Sequence, residues 1–371
     1  MSVQVSYKKQ IIFGFIILVI ILASVEIIAR IILELRDSCY LGLPQSGMYE
    51  DLNSDYLKRL CQDYKSIIEY ELPIKNLEPN QHTNSVNINS LGFRGTEFSY
   101  EKDEKTFRIF VLGGSTLYGI YSTSDKTTTP GYLQEKFDGL EKNYRVEVIN
   151  AGINGHDSYH ETFLIKEKLI FYQPDLFIIY DGWNDLFNPI KTEYVKPSFI
   201  YNMSKHFIML QNYYKSPEFF KFVDRVITKN IYGDRGAPQE SIKQDDMEKK
   251  VMLWKNRWYE ICELGKQQNF AVAIVLQPIL GVGNKPLSEW ESNNLEKLSH
   301  QSVAPYYPLM RDALTSLIEN CDMTTDLSYA FNGINETIFY DLGHMGDKGN
   351  NVVATEIFNS LLPLIEQKLE N

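Results

Sequence analysis

Residues 107–115 read FRIFVLGGS, an apolar run that stops at two glycines and a serine. Such a run predicts a buried β-strand, and the glycines predict a tight turn after it. Three later runs are of the same kind: residues 145–150 (RVEVIN), 175–180 (DLFIIY) and 270–277 (FAVAIVLQ). Helical spacing is found in residues 131–140, 158–171 and 350–369. Strands that alternate with helices predict an α/β protein with a parallel sheet, covered by helices on both faces.

The composition limits the class of protein. Of the 371 residues, 44% are hydrophobic and 23% are charged, which is the balance of a folded chain and excludes a disordered or collagen-like one. The net charge of −11 argues against a general nucleic-acid binder, since phosphate contact needs a basic surface. The four cysteines are too few for a disulfide scaffold, and because none lies in a Cys-x-x-Cys pair a zinc ribbon is excluded.

The N-terminal segment predicts a membrane anchor. Residues 11–25 (IIFGFIILVIILASV) carry no charge, and the apolar pattern continues to residue 35. A helix over residues 10–35 is long enough to span a bilayer, which needs about 20 apolar residues. Lys8 and Lys9 precede it, so the positive-inside rule predicts a cytoplasmic tail over residues 1–9 and an extracytoplasmic chain from residue 36. A cleaved signal peptide is the alternative, although no small-x-small cleavage site follows the apolar run.

Two segments depart from the regular pattern. Residues 36–105 are polar and rich in tyrosine, and we interpret them as a juxtamembrane segment before an α/β domain of residues 106–371. Cys39 and Cys61 both lie in this segment, and outside the cell they could form a disulfide or stay reduced as two buried thiols. Residues from about 188 to 247 interrupt the domain and are rich in Tyr, Phe and Lys. They are interpreted as an insertion, either a lid or binding surface or an extra packing layer.

Residues with catalytic potential follow the predicted strands. Gly-Gly-Ser115 follows the first strand, Gly155 comes shortly after the second, and Asn184 follows the third within Asp-Gly-Trp-Asn-Asp. Near the C-terminus the chain reads Asp341-Leu-Gly-His344. Ligands of open parallel sheets bind beyond the carboxyl ends of the strands. These residues are therefore the ones expected to carry the chemistry.

Together they supply what acyl transfer requires. A serine hydroxyl is a weak nucleophile until a base takes its proton, and His344 can be that base for Ser115. Asp341 can hold the imidazole in the required tautomer and stabilise its charged form. The oxyanion formed by the attack needs hydrogen-bond donors, and the candidates are the backbone N–H groups of Ser115 and Gly155 and the side-chain amide of Asn184. Each motif alone is common; their order, and their place after strands, favours a site.

This combination resembles the SGNH hydrolase superfamily, often called GDSL esterases, over residues 107–365. The four letters of the family name match Ser115, Gly155, Asn184 and His344. The resemblance implies a flavodoxin-like three-layer α/β/α fold and hydrolysis of carboxylic esters without a metal or other cofactor. Residues 89–95 (NSLGFRG) are similar to a stretch found upstream of the serine in many envelope-anchored members. One departure is Gly114, because the family often has Gly-Asp-Ser; it bears on substrate preference more than on catalysis.

Other kinds of site fit the sequence less well. The nucleophile elbow Gly-x-Ser-x-Gly needs a glycine where this chain has Leu117. No Gly-x-x-x-x-Gly-Lys-Ser/Thr phosphate loop is present, and the glycines after the first strand lack dinucleotide spacing. His156-Asp-Ser-Tyr-His160 imitates the zinc motif His-Glu-x-x-His, but Asp157 replaces the glutamate and no third ligand is evident. We expect no metal there, and we expect His156 to line or cap the pocket.

The sequence thus predicts a membrane-anchored serine esterase that faces outward and hydrolyses acyl esters, O-acetyl esters among them. Its expected partners are an ester of an envelope glycan or a lipid, and the membrane itself. The same residues would serve an O-acyltransferase, whose second acceptor is a sugar hydroxyl in place of water. A non-catalytic glycan-binding protein on the same fold is the third alternative, since a fold alone does not guarantee activity.

Overall fold

The computed structural model describes residues 6–35, 39, 42–71, 74–140, 144–190 and 244–370. Most of the expected insertion, residues 191–243, lies outside the described residues. The chain forms two compact units, and the larger comprises residues 43–196 and 241–371. Residues 43–105, which precede the first strand of the main sheet, therefore belong to the same unit as that sheet.

Short strands and helices precede the main sheet, and longer ones form and cover it. The strands are β1 (Glu69–Glu71), β2 (Lys75–Leu77), β3 (Gln81–His82), β4 (Asn87–Ile88), β5 (Thr106–Gly113), β6 (Arg145–Asn150), β7 (Leu176–Asp181), β8 (Ala271–Leu276) and β9 (Met323–Asp326). The helices are α1 (Tyr7–Leu35), α2 (Ser54–Ser66), α3 (Ser115–Tyr118), α4 (Thr129–Asp138), α5 (Ser158–Glu167), α6 (Trp183–Phe187), α7 (Gln244–Gln268), α8 (Glu289–Lys297), α9 (Tyr307–Thr315) and α10 (Asp347–Glu370).

The main sheet has the strand order β6-β5-β7-β8-β9, and every neighbouring pair is parallel. Counted along the chain, this order is 2-1-3-4-5, which is the doubly wound order of flavodoxin. The order reverses between β5 and β7, where Phe110 is paired with Phe177. Ligands of such sheets bind at this switch point, outside the carboxyl ends of the strands. The predicted flavodoxin-like α/β fold is confirmed.

Helices cover both faces of the sheet because successive side chains of a strand point to opposite sides. Phe110 and Leu112 of β5 pack into a buried cluster with residues of α5, α7 and α9. Ile109 and Val111 of the same strand pack on the other face with residues of α4 and α10. The result is three layers, helix, sheet and helix. Strand β9 was not predicted, because its sequence MTTD has no apolar run and the strand lies half-buried at the sheet edge.

Disulfides link parts of the chain that are distant in sequence. Cys262 on α7 is bonded to Cys321, which precedes β9, across a separation of 59 residues. Cys39 and Cys61 are each in the disulfide state as well. All four cysteines lie among the described residues, and none of them is free. The sequence left both states open for Cys39 and Cys61, and it gave no sign of the other pair.

Helix α1 is the candidate membrane span. Its stretch Tyr7–Ile28 has a mean hydropathy of 3.0, and no part of its most apolar window is buried. The helix is therefore long and apolar enough to cross a bilayer. A cleaved signal peptide, the alternative, can meet the same criteria of length and hydropathy near an N-terminus.

Candidate active site

The turn after β5 presents Ser115 at the first position of the one-turn helix α3. Two glycines make this turn possible. A Cβ atom on Gly113 would lie 2.6 Å from the carbonyl oxygen of Tyr180, and one on Gly114 would lie 2.2 Å from Nδ2 of Asn184. The departure from Gly-Asp-Ser at Gly114 thus has a structural reason in this chain: it makes room for the amide of Asn184.

The serine, histidine and aspartate form one chain of hydrogen bonds. His344 Nε2 lies 2.7 Å from Ser115 Oγ, and His344 Nδ1 lies 2.7 Å from Asp341 Oδ2. The other carboxylate oxygen, Oδ1, accepts the backbone N–H groups of Gly343 at 2.9 Å and His344 at 2.8 Å. This geometry suits a serine activated by a general base, with the base held by a carboxylate.

The charges of the pair favour an ionised carboxylate and a basic imidazole. Burial alone would raise the pKa of Asp341, but attraction to His344 and three hydrogen bonds lower that pKa below its usual value. Burial likewise opposes protonation of His344, yet the charge and hydrogen bond of Asp341 raise the pKa of the imidazole overall. The two side chains stay 28% and 26% exposed, so a substrate can reach them.

Two of the expected oxyanion donors face the same site. The N–H of Ser115 stands at the start of α3, where no preceding residue of the helix can accept it. Asn184 lines the cavity beside Ser115 and donates one N–H from Nδ2 to the carbonyl oxygen of His156 at 2.6 Å. A primary amide carries two N–H donors, so the second is available to a ligand.

Gly155 lies in the loop before α5, with a backbone φ of +78° that favours glycine. The described residues that line the cavity do not include it. The carbonyl of Gly155 accepts the side-chain amide of Asn188 at 3.3 Å. The geometry therefore brings Ser115, Asn184 and the Asp341–His344 pair together at the cavity, and Gly155 is not among the residues that line it.

A buried aspartate joins the short helix that carries Asn184 to the start of α5. Asp185, next to Asn184, accepts both the backbone N–H and the hydroxyl of Ser158, which begins α5. Arg257 of α7 donates to the same hydroxyl at 2.9 Å. Burial, with the nearby Asp181 charge next in size, raises the pKa of Asp185 well above its usual value. In the sequence, Asp185 stands out only as part of the Asp-Gly-Trp-Asn-Asp motif, and no local pattern indicates Ser158 or Arg257.

The cavity at this site has a volume of about 210 Å³. Trp183 and Phe187 form one wall as a stacked pair with ring centroids 5.8 Å apart. The remaining wall is a mixture of amide and aliphatic groups, from Gln277, Leu298 and Gln301. Its size is below that of drug-sized ligand pockets, about 300–1,000 Å³, and suits a small acyl group.

Neither His156 nor His160 is among the residues that line the cavity, although the backbone carbonyl of His156 accepts the amide of Asn184. His156 is fully buried, with Nε2 2.8 Å from the carbonyl oxygen of Lys75, and burial lowers its pKa to about 3. His160 Nδ1 is 2.7 Å from Asp157. The two rings stack face to face at 4.9 Å instead of converging on a point. Within the described part of the chain, no group of three or more metal-binding side chains is found.

Tyrosines of the N-terminal part of the larger unit support the histidine loop. The ring of Tyr121 meets the His344 imidazole edge-on at 5.8 Å, and Tyr121 has a φ of +71°, which is strained for a tyrosine. The hydroxyl of Tyr49 donates to the carbonyl of Tyr121 and accepts the backbone N–H of Asp347 at 3.1 Å. No local sequence pattern indicates these residues, because 72 residues separate Tyr49 from Tyr121.

Several solved structures are similar to this chain, all at low sequence identity. An acetyl xylan esterase, AlAXEase, is 16% identical, with 69% of this chain and 100% of that one covered and a TM-score of 0.39. A putative lipolytic protein of the G-D-S-L family from Desulfitobacterium hafniense is 10% identical, with 68% and 99% covered and a TM-score of 0.39. A catalytic mutant of an acetylxylan esterase from Geobacillus stearothermophilus is 12% identical, with 69% and 94% covered and a TM-score of 0.38. No family model and no curated protein matches the sequence.

Proposed function

We propose that this chain is a serine esterase that hydrolyses carboxylic esters with small acyl groups, such as O-acetyl esters. Ser115 Oγ attacks the ester carbonyl while its proton passes to His344 Nε2. The protonated His344 then gives that proton to the departing alcohol, leaving an acyl group on Ser115. Water then attacks the acyl group while its proton passes to His344, and His344 gives that proton to Ser115 Oγ as the bond to the acyl group breaks and the acid leaves.

The oxyanion of both steps is held by the N–H of Ser115 and the second N–H of Asn184, with Gly155 as the third expected donor. Asp341 keeps the imidazole oriented and stabilises its charged form. One observation carries the proposal: the unbroken chain from Ser115 Oγ through His344 to Asp341, at 2.7 Å for each link, at the edge of a cavity.

The chain is further proposed to be anchored by α1, with its N-terminus in the cytoplasm and the catalytic unit outside. The apolar stretch Tyr7–Ile28 and the preceding charges of Lys8 and Lys9 support the orientation. Disulfides support it too, because they persist in oxidising compartments. Protease added outside intact spheroplasts should digest the catalytic unit and spare a cytoplasmic marker; protection of the catalytic unit would reverse the orientation.

Activity is tested with the full-length protein in detergent against acyl esters of increasing chain length. Release of free acid should be fastest for acetyl and should fall as the chain outgrows the cavity. Ser115→Ala should abolish turnover, and Asn184→Ala should reduce it by roughly 10²–10³-fold. Acyl groups that appear on an added glycan instead of as free acid would identify a transferase. Turnover that survives Ser115→Ala would refute the assignment of the nucleophile.

A further inference from the structure

Arg94, in the NSLGFRG stretch before the sheet, has a guanidinium group that is wholly shielded from solvent. Its side chain is 0% exposed, and its Nε donates to Asp125 Oδ1 at 2.8 Å. Buried charges are rare unless they are paired and hydrogen-bonded, because desolvation is costly. A guanidinium buried this completely must be held by specific contacts on all of its N–H groups.

The guanidinium binds the end of the turn that carries the nucleophile. Arg94 Nη1 donates to the carbonyl oxygens of Tyr118 at 2.9 Å and Gly119 at 3.0 Å. These carbonyls close helix α3, whose first residue is Ser115. The same turn is closed from within, since the N–H groups of Gly119 and Ile120 donate to the carbonyl of Ser115 at 3.1 Å. Because α3 has only one turn, the guanidinium that holds its C-terminal carbonyls also fixes the position of Ser115 at its N-terminus.

The remaining donors of Arg94 are used as well. Nη2 donates to the carbonyl of Ser85 at 3.1 Å and to the hydroxyl of Tyr64 at 3.3 Å. The guanidinium carbon lies 5.0 Å from the ring centre of Tyr118 and 5.3 Å from that of Tyr64. All five N–H groups thus have acceptors, in the fork geometry that lysine cannot reproduce.

We propose that Arg94 is the positioning residue of the nucleophile, which sets Ser115 Oγ at hydrogen-bond distance from His344. This inference rests on the proposed function, since it assigns Arg94 a role through Ser115. A displacement of about 1 Å in a catalytic group can cost roughly 10²-fold in rate. Through Arg94, the NSLGFRG stretch acts on the position of Ser115, although none of its residues lines the cavity beside Ser115.

Arg108 of β5 offers a matched control. Its side chain is also 0% exposed, and its Nε lies 2.6 Å from Glu147. It donates to the backbone carbonyls of Tyr100, Tyr172 and Ser99 at 3.1, 2.7 and 2.9 Å. It stands near the start of β5, whereas Ser115 follows the end of that strand, about 20 Å away at 3.3 Å per residue. Arg108 and Arg94 therefore match in burial and bonding and differ in their distance from the chemistry.

The test compares Arg94→Lys with Arg108→Lys in the full-length protein. Both should lower the unfolding temperature, because both leave buried carbonyls without donors. Only Arg94→Lys should lower kcat, by roughly 10–100-fold with KM within about 2-fold, since the substrate still binds while the nucleophile is displaced. The rate of Ser115 labelling by a fluorophosphonate should fall in the same ratio as kcat. Equal kcat in Arg94→Lys and the wild type, or equal losses in both variants, would overturn the inference.

Chemical rescue gives a readout that a general loss of stability would not move. Arg94 borders a cavity of about 520 Å³, so a small cation can reach the space left by Arg94→Ala. Methylguanidinium should restore kcat, and methylammonium at the same ionic strength should not, because only the former has the fork geometry. If Arg94→Ala does not fold, Asp125→Asn, which weakens the same pair, should lower kcat by roughly 3–10-fold; an unchanged kcat contradicts the inference. A wild type without turnover or labelling would refute the proposed function, and the inference with it.

Discussion

The closest steric constraint at the site lies between Gly114 and Asn184, and Gly114→Ala tests it. The added Cβ would lie 2.2 Å from Asn184 Nδ2 and 3.1 Å from the carbonyl oxygen of His156. An ordinary contact needs about 3.5 Å, so the amide must retreat by about 1.3 Å. That shift breaks its 2.6 Å hydrogen bond to His156 and withdraws the second N–H from the oxyanion.

The expected loss is that of one oxyanion donor, roughly 10²–10³-fold in kcat with little change in KM. Stability should fall by about 1–2 kcal/mol, because the His156 carbonyl loses its hydrogen bond to Asn184 and must itself shift slightly. The backbone itself accepts alanine, since Gly114 has φ −80° and ψ −151°, in the extended region. Activity and stability should therefore separate in this variant.

The assay is steady-state hydrolysis of an acetyl ester together with thermal unfolding. Gly139→Ala is the control, because its Cβ would meet its nearest atom at an ordinary 3.5 Å and its φ is −74°. The double variant Gly114→Ala/Asn184→Ala should be no slower than Asn184→Ala alone, since both remove the same donor. Wild-type kcat in Gly114→Ala, or losses that multiply in the double variant, would refute the reasoning.

Three further predictions concern the support of the histidine and the disulfide. Tyr49→Phe removes the hydroxyl bond to the Tyr121 carbonyl beside His344, and kcat should fall several-fold for a stability loss of about 1 kcal/mol, measured by kinetics and thermal unfolding; unchanged kcat would show that the contact has no catalytic effect. The neutral imidazole of His344 is the base, and Asp341 raises its pKa above the usual 6.5, so kcat/KM should rise with pH through that raised pKa. Asp341→Asn should shift the rising part of the pH profile to lower pH and reduce the rate by about 10⁴-fold. A pH profile that does not shift would exclude His344 as the titrating group. Cys262→Ser/Cys321→Ser should lower the free energy of unfolding by about 4 kcal/mol, seen by denaturant titration, and leave kcat of the folded protein unchanged; a loss below 1 kcal/mol would contradict this.

The strands that could be predicted are those whose sequences carry a continuous or alternating apolar pattern, including β6 at one edge of the sheet. Strands β5, β7 and β8 are continuous apolar runs because a parallel strand under two helical layers has no exposed face. Strand β9 has no such run, because it lies at the sheet edge and its residues are mostly half-buried. The register and the order of the strands come from contacts between segments, which no local pattern contains.

The candidate site divides in the same way. Ser115 and Asn184 come shortly after predicted strands, and Asp341 and His344 lie three residues apart in one short motif. Local sequence patterns were therefore enough to predict all four. Arg94 was not found, because its task depends on carbonyl groups 24 and 25 residues away. It lies in the NSLGFRG stretch that carried part of the family resemblance, and its contacts with α3 suggest a physical reason for that stretch to accompany the serine.

The central claim is that Ser115 is a nucleophile activated by His344. The most direct measurement is intact and peptide mass spectrometry of the full-length protein after reaction with a fluorophosphonate. One adduct is predicted, on Ser115, and its rate of formation should fall by at least about 10³-fold in His344→Ala. An adduct on another residue, or an unchanged labelling rate in His344→Ala, would contradict the account.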